Sequence, residues 1–433
     1  MTSLARQITD QILAAMFKNP NTGGSHSFFY GRPGAPHWDR RLGIEVHYNN
    51  VALIIAALTY RQNGPAYLKS LPLSEINSLL KNFVSEHYWY LSGETFAQRF
   101  DCSFADQICE QTKVNLASAL ESSALFHPHN SLHLYPLIPV EIAEPFDHER
   151  FFVCAPTDLT ESRLRRGKLP ADFVPNQFPP FTDSRLLVDT GFTSWLGVWS
   201  PDRRAADKMK AAILGAFALT PYHRHMFSGR HMFGGVCVVD RSYSVSWGQP
   251  HTPAMMDNIK LTKADHAWLR SLGDLLTNAD KESRQYVRSL EYFYRAWPKS
   301  ELERFPLMFM TLDAVFGDRN NATQAVIDGI RSVLGDHIDE KRVRSLMEMR
   351  ASVIHGGSPD IYDSSKYPKY YREYETDPVR DLEDLVAACI RERAFKGDLT
   401  QHEDPHLDVR QQMISQGRIS DRPDARGILE GAP

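Results

Sequence analysis

The sequence is poor in cysteine, with five residues in 433, at positions 102, 109, 154, 237 and 389. No two of them form a Cys-x-x-Cys pair, so their spacing indicates neither a zinc site nor a disulfide framework and is typical of reduced thiols. Long apolar runs are also absent, and the first 17 residues are too polar for a signal peptide. We therefore predict a cytoplasmic protein that makes no contact with a membrane.

The chain has no excess of basic residues. It contains 49 Lys and Arg against 53 Asp and Glu, which gives a net charge of −4. Because phosphate contacts supply most of the affinity of nucleic-acid-binding proteins, binding to RNA would depend on local basic patches. The length and an apolar content of 42% are sufficient for two or three domains with buried cores. Walker loops, G-x-S-x-G elbows and paired-carboxylate motifs are absent from the sequence.

Two kinds of residue cluster carry only a weak functional signal. His223, His225 and His231 include a His-x-His pair, which on a strand points two imidazoles to one face. No cysteine or carboxylate lies close enough in the sequence to complete a metal site, so we predict no metal and no cofactor. The basic stretches 163–166 and 203–204 are more typical of solvated faces than of RNA-binding surfaces.

Residues 1–277 mix helical and strand patterns and are predicted to form an α+β region of one or two domains. The clearest strand signal is a β-hairpin made by HMFGGVCVVD and SYSVSW. The predicted elements are helices at 4–17, 45–62 (buried), 73–90 (capped by Ser74), 205–219 and 265–276, a loop at 19–36, and strands at 151–154, 231–240 and 242–247.

Residues 278–400 show helical patterns only, and five helices in a segment of this length predict a bundle. The last helix has the clearest signals, with Asp377 as its N-cap, Pro378 at its first position and Gly397 after its end. The polar residues 401–433 are predicted to form a disordered tail. The predicted fold class is therefore α+β, with a mixed α/β region that contains a β-hairpin, followed by an all-α bundle.

The segment 339–357, DEKRVRSLMEMRASVIHGG, combines a core face with two reactive side chains. An apolar helical stripe runs from Val343 to Ile354, and Arg350 lies in its middle. A buried arginine requires a carboxylate, an aromatic ring or a cleft that takes an anion. His355 follows at the predicted helix end, where the helix dipole favours the imidazolium, although a histidine there is more often a cap. Together the two side chains predict chemistry on RNA.

Three stretches give this region a family resemblance. SLEYFYRAW at 289–297, ERFPLMFMTLDAVFG at 303–317 and MRASVIHGG at 349–357 occur in this order. They resemble the Apea-like HEPN domain, a helical family with an Arg-x(4–6)-His motif that is commonly followed by glycine. The resemblance covers residues 284–395, about a quarter of the chain, and RASVIHG is its specific part. The residue after the motif arginine is often polar in this superfamily, whereas here it is Ala351.

The resemblance implies a metal-independent endoribonuclease that works as a homodimer, in which the helices carrying Arg350 meet at a shared cleft. Arg350 is then expected to hold the phosphate, and His355 to assist attack by the ribose 2′-OH or to protonate the leaving oxygen. Asp313 is expected either to orient Arg350 or to neutralise it in the core. Members are often bacterial defence or toxin-like factors, so residues 1–277 are expected to bind a trigger molecule or to hold the nuclease silent.

The tyrosine-rich segment after His355 is predicted to be a loop beside the site. Its residues Lys366, Lys369, Tyr370 and Arg372 suit contacts with unpaired bases and phosphates of RNA, and an ordinary packed loop is the alternative. A second interpretation of the whole region is a HEPN bundle that has lost catalysis and serves as a dimerisation or RNA-binding module. Ala351 favours this alternative, and the intact pair of arginine and histidine favours the enzyme.

Overall fold

The computed structural model describes residues 3–19, 25–30, 42–165, 168–169, 173–180, 192–222, 232–240, 242–317, 322–419 and 427–430. Helices and strands both occur in the first part of the chain and helices alone in the last part, which confirms the predicted α+β class. The chain divides into two compact units. The first comprises residues 1–130 with 201–205, and the second comprises residues 131–200 with 206–433.

The first unit packs helices on a small antiparallel sheet of strand order β1-β3-β2. Its own core includes Ile8 and Leu13 of the first helix, together with Tyr60 and Leu80, all fully buried. Its helices are α1 Leu4–Ala15, α2 Asn50–Asn63, α3 Leu73–His87, α4 Trp89–Thr95, α5 Phe104–Gln107 and α6 Glu110–Glu121, and its strands are β1 Met16–Phe17, β2 Ser25–Tyr30 and β3 Leu42–Tyr48.

Three sequence predictions in this unit were wrong. Residues 45–62 do not form one helix, because Asn49 accepts hydrogen bonds from the backbone N–H groups of Val51 and Ala52 and starts α2 directly after strand β3. The predicted loop at 19–36 contains strand β2. Ser74 does not cap α3 but lies inside it, since Pro72 occupies the N-cap position.

The second unit contains the remaining elements. Its strands are β4 Ser131–Leu137, β5 Val140–Ile142, β6 Phe146–Asp147, β7 Phe151–Cys154, β8 Ser194–Ser200, β9 Gly234–Val239, β10 Tyr243–Gly248 and β11 Ile259–Leu261. Its helices are α7 Glu161–Leu164, α8 Arg203–Phe217, α9 His266–Thr277, α10 Lys281–Ala296, α11 Glu301–Phe316, α12 Ala322–Leu334, α13 Glu340–Ile354, α14 Tyr367–Tyr374, α15 Pro378–Phe395 and α16 Leu407–Ser415. The first three residues of α8 are assigned to the first unit.

An antiparallel sheet of six described strands, in the order β10-β9-β4-β8-β7-β6, is the centre of this unit. The predicted hairpin is confirmed as β9 and β10, which pair from Gly234 with Gly248 to Val239 with Tyr243. The predicted strand at 151–154 is confirmed as β7. Central strand β4 is almost wholly buried, which fixes its register between two neighbours.

The helical bundle is not a separate domain. Its buried residues belong to the same hydrophobic core as those of the sheet, from Tyr135 on β4 to Phe395 at the end of α15. Helices α8 and α10 approach so closely that a Cβ atom on Gly215 would lie 2.1 Å from the carbonyl oxygen of Leu290. The predicted boundary between residues 277 and 278 therefore does not correspond to a division of the structure, which falls at residue 130 and around 201–205.

Helix α15 follows its local sequence signals. The Asp377 carboxylate accepts a hydrogen bond from the N–H group of Val379, and Pro378 occupies the first helical position. The helix ends at Lys396, whose φ angle is +52°, and Gly397 follows with a φ angle of +84°. The N-cap and the stop at glycine confirm the prediction for this helix.

The segment after residue 400 is partly ordered, contrary to the predicted tail. The N–H group of His402 donates to the carbonyl oxygen of Thr220, and its ring lies 3.0 Å from the carboxylate of Asp265. Helix α16 follows, and Ile428 is buried against α15. These contacts come from residues distant in sequence, so composition alone did not reveal them.

Candidate functional site

Helix α13 carries the residues expected to form the site and packs against α11 and α12. Asp339 starts the helix by accepting hydrogen bonds from the N–H groups of Lys341 and Arg342. The predicted apolar stripe begins in the core, because Val343 is buried. Its last residue, Ile354, is 50% exposed, so the stripe leaves the core at the carboxyl end of the helix.

Arg350 lies where that stripe leaves the core, and it faces α11. Its Nη1 and Nη2 atoms lie 3.3 Å and 2.5 Å from the two carboxylate oxygens of Asp313. Its guanidinium carbon lies 5.4 Å from the ring centre of Phe309, one helical turn earlier on α11. The side chain of Arg350 is 21% exposed and that of Asp313 is 29% exposed. The arginine thus has both a carboxylate and a ring as partners and still reaches the surface.

A glycine turn ends α13 directly after the arginine. His355 is the C-cap, and Gly356 follows in the left-handed region with a φ angle of +73°. The N–H group of Gly357 donates to the carbonyl oxygen of Ser352 at 2.8 Å, and that of Gly356 donates to Val353 at 3.3 Å. This pair of bonds is a Schellman motif, which explains why glycine follows the histidine.

His355 is exposed at this helix end. Within the described part of the chain, no hydrogen bond or ion pair joins its imidazole to Arg350 or Asp313. The structure therefore brings Arg350 and Asp313 together and leaves His355 about one turn further on, directed to solvent. An exposed imidazole at the negative end of a helix is accessible to a ligand phosphate.

The outer face of α13 is continuous with this end. Arg344, Glu348, Ala351 and His355 are all exposed, and their spacing of four, three and four residues places them along one side of the helix. Arg344 is paired with Glu340 on its own helix. Ala351 therefore lies on the surface between the charged residues and the histidine.

The tyrosine-rich segment predicted as a loop contains helix α14. Lys366, immediately before this helix, pairs with Glu348 of α13 at 2.6 Å. Lys369 and Arg372 are exposed, and the Nε atom of Arg372 donates to the carbonyl oxygen of Pro368. These three basic side chains lie at the surface, as contacts with RNA would require.

Tyr370 does not belong to that surface, so its predicted contact with RNA was wrong. It is 2% exposed, and its hydroxyl donates to the Asp381 carboxylate at 2.5 Å. Burial, followed by the charge of Asp381, raises the pKa of Tyr370. The tyrosine ring packs inside the bundle and holds α14 against α15.

A buried ion pair explains this placement and was missed from the sequence. Arg342 of α13 donates from Nε and Nη2 to the same Asp381 oxygen at 2.9 Å and 2.5 Å, and Thr376 donates to it at 2.9 Å. The ring centre of Tyr374 lies 4.8 Å from the guanidinium carbon. In the sequence, Arg342 and Asp381 are charged residues in the first turns of their helices. No local pattern distinguishes them from exposed residues.

No group of three or more His, Cys, Asp or Glu side chains that could hold a metal ion occurs among the residues that the structure describes. His223, His225 and His231 lie outside that part of the chain. None of the described helices combines the length and apolar character needed to cross a bilayer.

Comparisons of the chain with protein-family models, with curated proteins and with solved structures find no match. The arginine, the carboxylate that holds it and the exposed histidine at the end of the same helix are thus the features from which a function can be inferred.

Proposed function

We propose that this chain is a metal-independent endoribonuclease of the HEPN type. The observation that carries the proposal is the end of α13, where a guanidinium held by Asp313 and an exposed imidazole follow each other within five residues. An arginine fixed by a carboxylate and an aromatic ring is preorganised for a phosphate, because its planar fork needs no reorientation. A histidine side chain can serve as a general acid or a general base.

The proposed reaction is attack of a ribose 2′-OH on the adjacent phosphorus. The oxygen–phosphorus bond to the 2′ oxygen forms while the bond to the 5′ oxygen of the next nucleotide breaks, which leaves a 2′,3′-cyclic phosphate and a 5′-hydroxyl. His355 accepts the 2′ proton or donates a proton to the leaving 5′ oxygen. Arg350 stabilises the charge that grows on the phosphate oxygens, since a guanidinium has five N–H groups and Asp313 uses only two.

The active form is proposed to be a homodimer built through α13. On one helix Arg350 and His355 project about 140° apart, so a single protomer is poorly arranged to serve one phosphate with both side chains. A two-fold axis beside the outer face of α13 places an arginine and a histidine of each protomer around one cleft. Ala351 on that face and Ile354 beside it are exposed, and they supply the small and apolar side chains that close helix packing needs.

The biological part of the proposal concerns regulation. A cytoplasmic nuclease of this kind would act as a bacterial defence or toxin-like factor, and residues 1–277 would bind the trigger or keep the nuclease silent. Free cysteines at all five positions are compatible with a reducing compartment. Lys366, Lys369 and Arg372 are proposed as phosphate contacts beside the cleft, and the buried Tyr370 is not among them.

The direct test is incubation of the purified protein with total RNA in the presence and absence of EDTA. We expect cleavage in both conditions and 2′,3′-cyclic phosphate ends, because protein side chains alone supply the acid, the base and the positive charge. His355→Ala, purified in the same way, controls for contaminating nucleases. Cleavage that disappears with EDTA, or that persists unchanged in the variant, would reject the proposed chemistry.

The shared cleft predicts a dominant effect of inactive subunits. When an excess of His355→Ala protein is mixed with wild type under conditions of subunit exchange, activity should fall with the square of the wild-type fraction, since only wild-type homodimers keep both histidines. An equal amount of an unrelated protein is the dilution control. A fall in simple proportion to the wild-type fraction, or an active species that sediments as a monomer, would show that His355 acts within its own chain.

A second candidate function is a bundle without catalysis that dimerises or binds RNA. Ala351 favours it, because this exposed position on the motif face bears no polar group that could contact a phosphate. The RNA incubation separates the two candidates when it is combined with a filter-binding measurement. Retention of RNA with no cleavage under any condition supports the module, whereas cleavage supports the enzyme.

A further inference from the structure

The second unit contains a cavity of about 300 Å³ that is formed by the turn after β6, by α7 and by strand β8. It is far in sequence from Arg350 and is lined by Asp147, His148, Ser162, Arg163, Arg165 and Trp199. Its volume is at the lower end of the range for small-ligand sites in proteins. The stretch 163–166 stood out in the sequence for its arginines, and two of them line this cavity.

The first of these arginines is structural. The Nε and Nη2 atoms of Arg163 lie 2.9 Å and 2.8 Å from the two carboxylate oxygens of Asp147, and Nη1 donates to the carbonyl oxygen of Asp158. The hydrogen bonds to Asp147 raise the pKa of Arg163. The carboxylate in the cavity is therefore already neutralised by a bidentate partner, and it offers no charge to the second arginine.

The second arginine is held in place without a counter-charge. The guanidinium carbon of Arg165 lies 4.5 Å from the ring centre of Trp199, and Nη2 donates to the carbonyl oxygen of Glu149 at 3.2 Å. Among the described residues no carboxylate lies within ion-pair distance of Arg165, and this exposed side chain is open to a ligand. Its backbone has a φ angle of +55° and a ψ angle of −102°, a strained conformation for a residue with a side chain.

Two further polar side chains line the same cavity. His148 already has a partner for each ring nitrogen, since Nδ1 accepts from the N–H group of Arg150 at 3.2 Å and Nε2 lies within ion-pair distance of the Asp274 carboxylate, at 3.8 Å. The hydroxyl of Ser162 is exposed and shares a hydrogen bond with the hydroxyl of Thr160 at 2.7 Å.

We infer that this cavity binds the phosphate group of a small phosphorylated molecule, with Arg165 as the anion contact and Ser162 as an additional donor. An exposed guanidinium that is held on a ring and has no described counter-charge favours an anion. A phosphate accepts hydrogen bonds from several directions, so it can contact the guanidinium and the Ser162 hydroxyl together, whereas a planar carboxylate matches the fork of one arginine. The inference does not depend on whether the chain cleaves RNA.

Isothermal titration calorimetry on the full-length protein tests it with three ligands at matched ionic strength: inorganic phosphate, adenosine 5′-monophosphate and adenosine. We expect wild type to bind both phosphate-bearing ligands and not adenosine. Arg165→Gln should weaken both affinities at least tenfold, since hydrogen bonds to a charged group are lost. Ser162→Ala leaves the stack on Trp199 intact and should weaken them roughly threefold. Arg288→Gln, which replaces an exposed arginine on α10, should bind as wild type does.

Each result of the titrations either supports the phosphate site or overturns it. Tighter binding of adenosine 5′-monophosphate than of inorganic phosphate, with the same loss in Arg165→Gln, supports the site and shows that the rest of the molecule adds contacts. Absence of binding by wild type at millimolar concentrations overturns the inference. Equal affinity of wild type and Arg165→Gln overturns it as well, as does adenosine binding as tightly as its monophosphate. If Arg165→Gln loses its helical circular dichroism, Ser162→Ala decides, and an unchanged affinity there rejects the proposed donors.

Discussion

Asp381→Ala is expected to lower the free energy of unfolding by about 3–5 kcal/mol, because it removes the carboxylate that neutralises the guanidinium of Arg342 inside the bundle. The side chains of this pair are 8% and 2% exposed, so water cannot replace the lost carboxylate. The same oxygen of Asp381 accepts hydrogen bonds from Tyr370 and Thr376, and both donors lose their partner in the variant. This carboxylate thus joins α13, α14 and α15.

Urea unfolding followed by far-ultraviolet circular dichroism measures this loss as a lower midpoint. Glu392→Ala removes an exposed carboxylate from the same helix, and it should change the free energy by no more than about 0.5 kcal/mol. Asp381→Asn keeps the size of the side chain and one acceptor oxygen. Its unfolding midpoint should therefore lie between those of Asp381→Ala and Glu392→Ala. Similar midpoints for Asp381→Ala and Glu392→Ala would mean that Arg342 finds water or another partner, and that the network does not hold the helices together.

The local signals in the sequence predicted the elements that depend on local interactions. The N-cap and glycine stop of α15 and the hairpin β9–β10 were confirmed, because a cap or a tight turn is decided by residues within a few positions. Strand β3 was missed for a related reason. It runs into α2 with only Asn49 between them, and the continuous apolar character of the segment resembles one buried helix.

Interactions between distant residues account for the other errors. The bundle shares its core with a sheet that begins 150 residues earlier in the chain, and no composition change at residue 277 reveals whether a core is shared. In the sequence, Tyr370 is one of several tyrosines in a polar segment, and nothing distinguishes it from the others. Its contact with Asp381 in the structure shows that its ring points inward. The order of residues 401–419 likewise depends on partners such as Thr220 and Asp265.

The candidate site was predicted in part. The requirement that Arg350 meet a carboxylate, a ring or a cleft came from its position in an apolar stripe, and the structure provides the first two as Asp313 and Phe309. The apolar pattern did not show that the stripe leaves the core at its carboxyl end, where Ile354 is exposed. Arg350 is partly exposed, so an arginine with two structural partners remains accessible to the proposed phosphate as well.

Arg350→Ala is expected to reduce RNA cleavage by about 100-fold or more, because it removes the group that is proposed to stabilise charge on the phosphate. The pair with Asp313 is partly exposed, so the loss in the free energy of unfolding should be only about 1–2 kcal/mol and the helical spectrum should be retained. Arg350→Lys keeps a positive charge but not the planar fork, and we expect most of the activity to be lost as well. Initial cleavage rates on one purified RNA provide the measurement.

Asp313→Asn distinguishes the two roles of the carboxylate. If Asp313 orients Arg350, as its contacts with both Nη atoms indicate, the variant should cleave about tenfold more slowly than wild type while remaining faster than Arg350→Ala. If Asp313 only neutralises a charge near the core, its replacement leaves the cleavage rate unchanged or raises it. Arg344→Ala, an exposed arginine on the same helix, should cleave as wild type does. An unfolded Arg350→Ala protein, with Arg344→Ala folded, would instead make Arg350 a structural residue and remove it from the proposed chemistry.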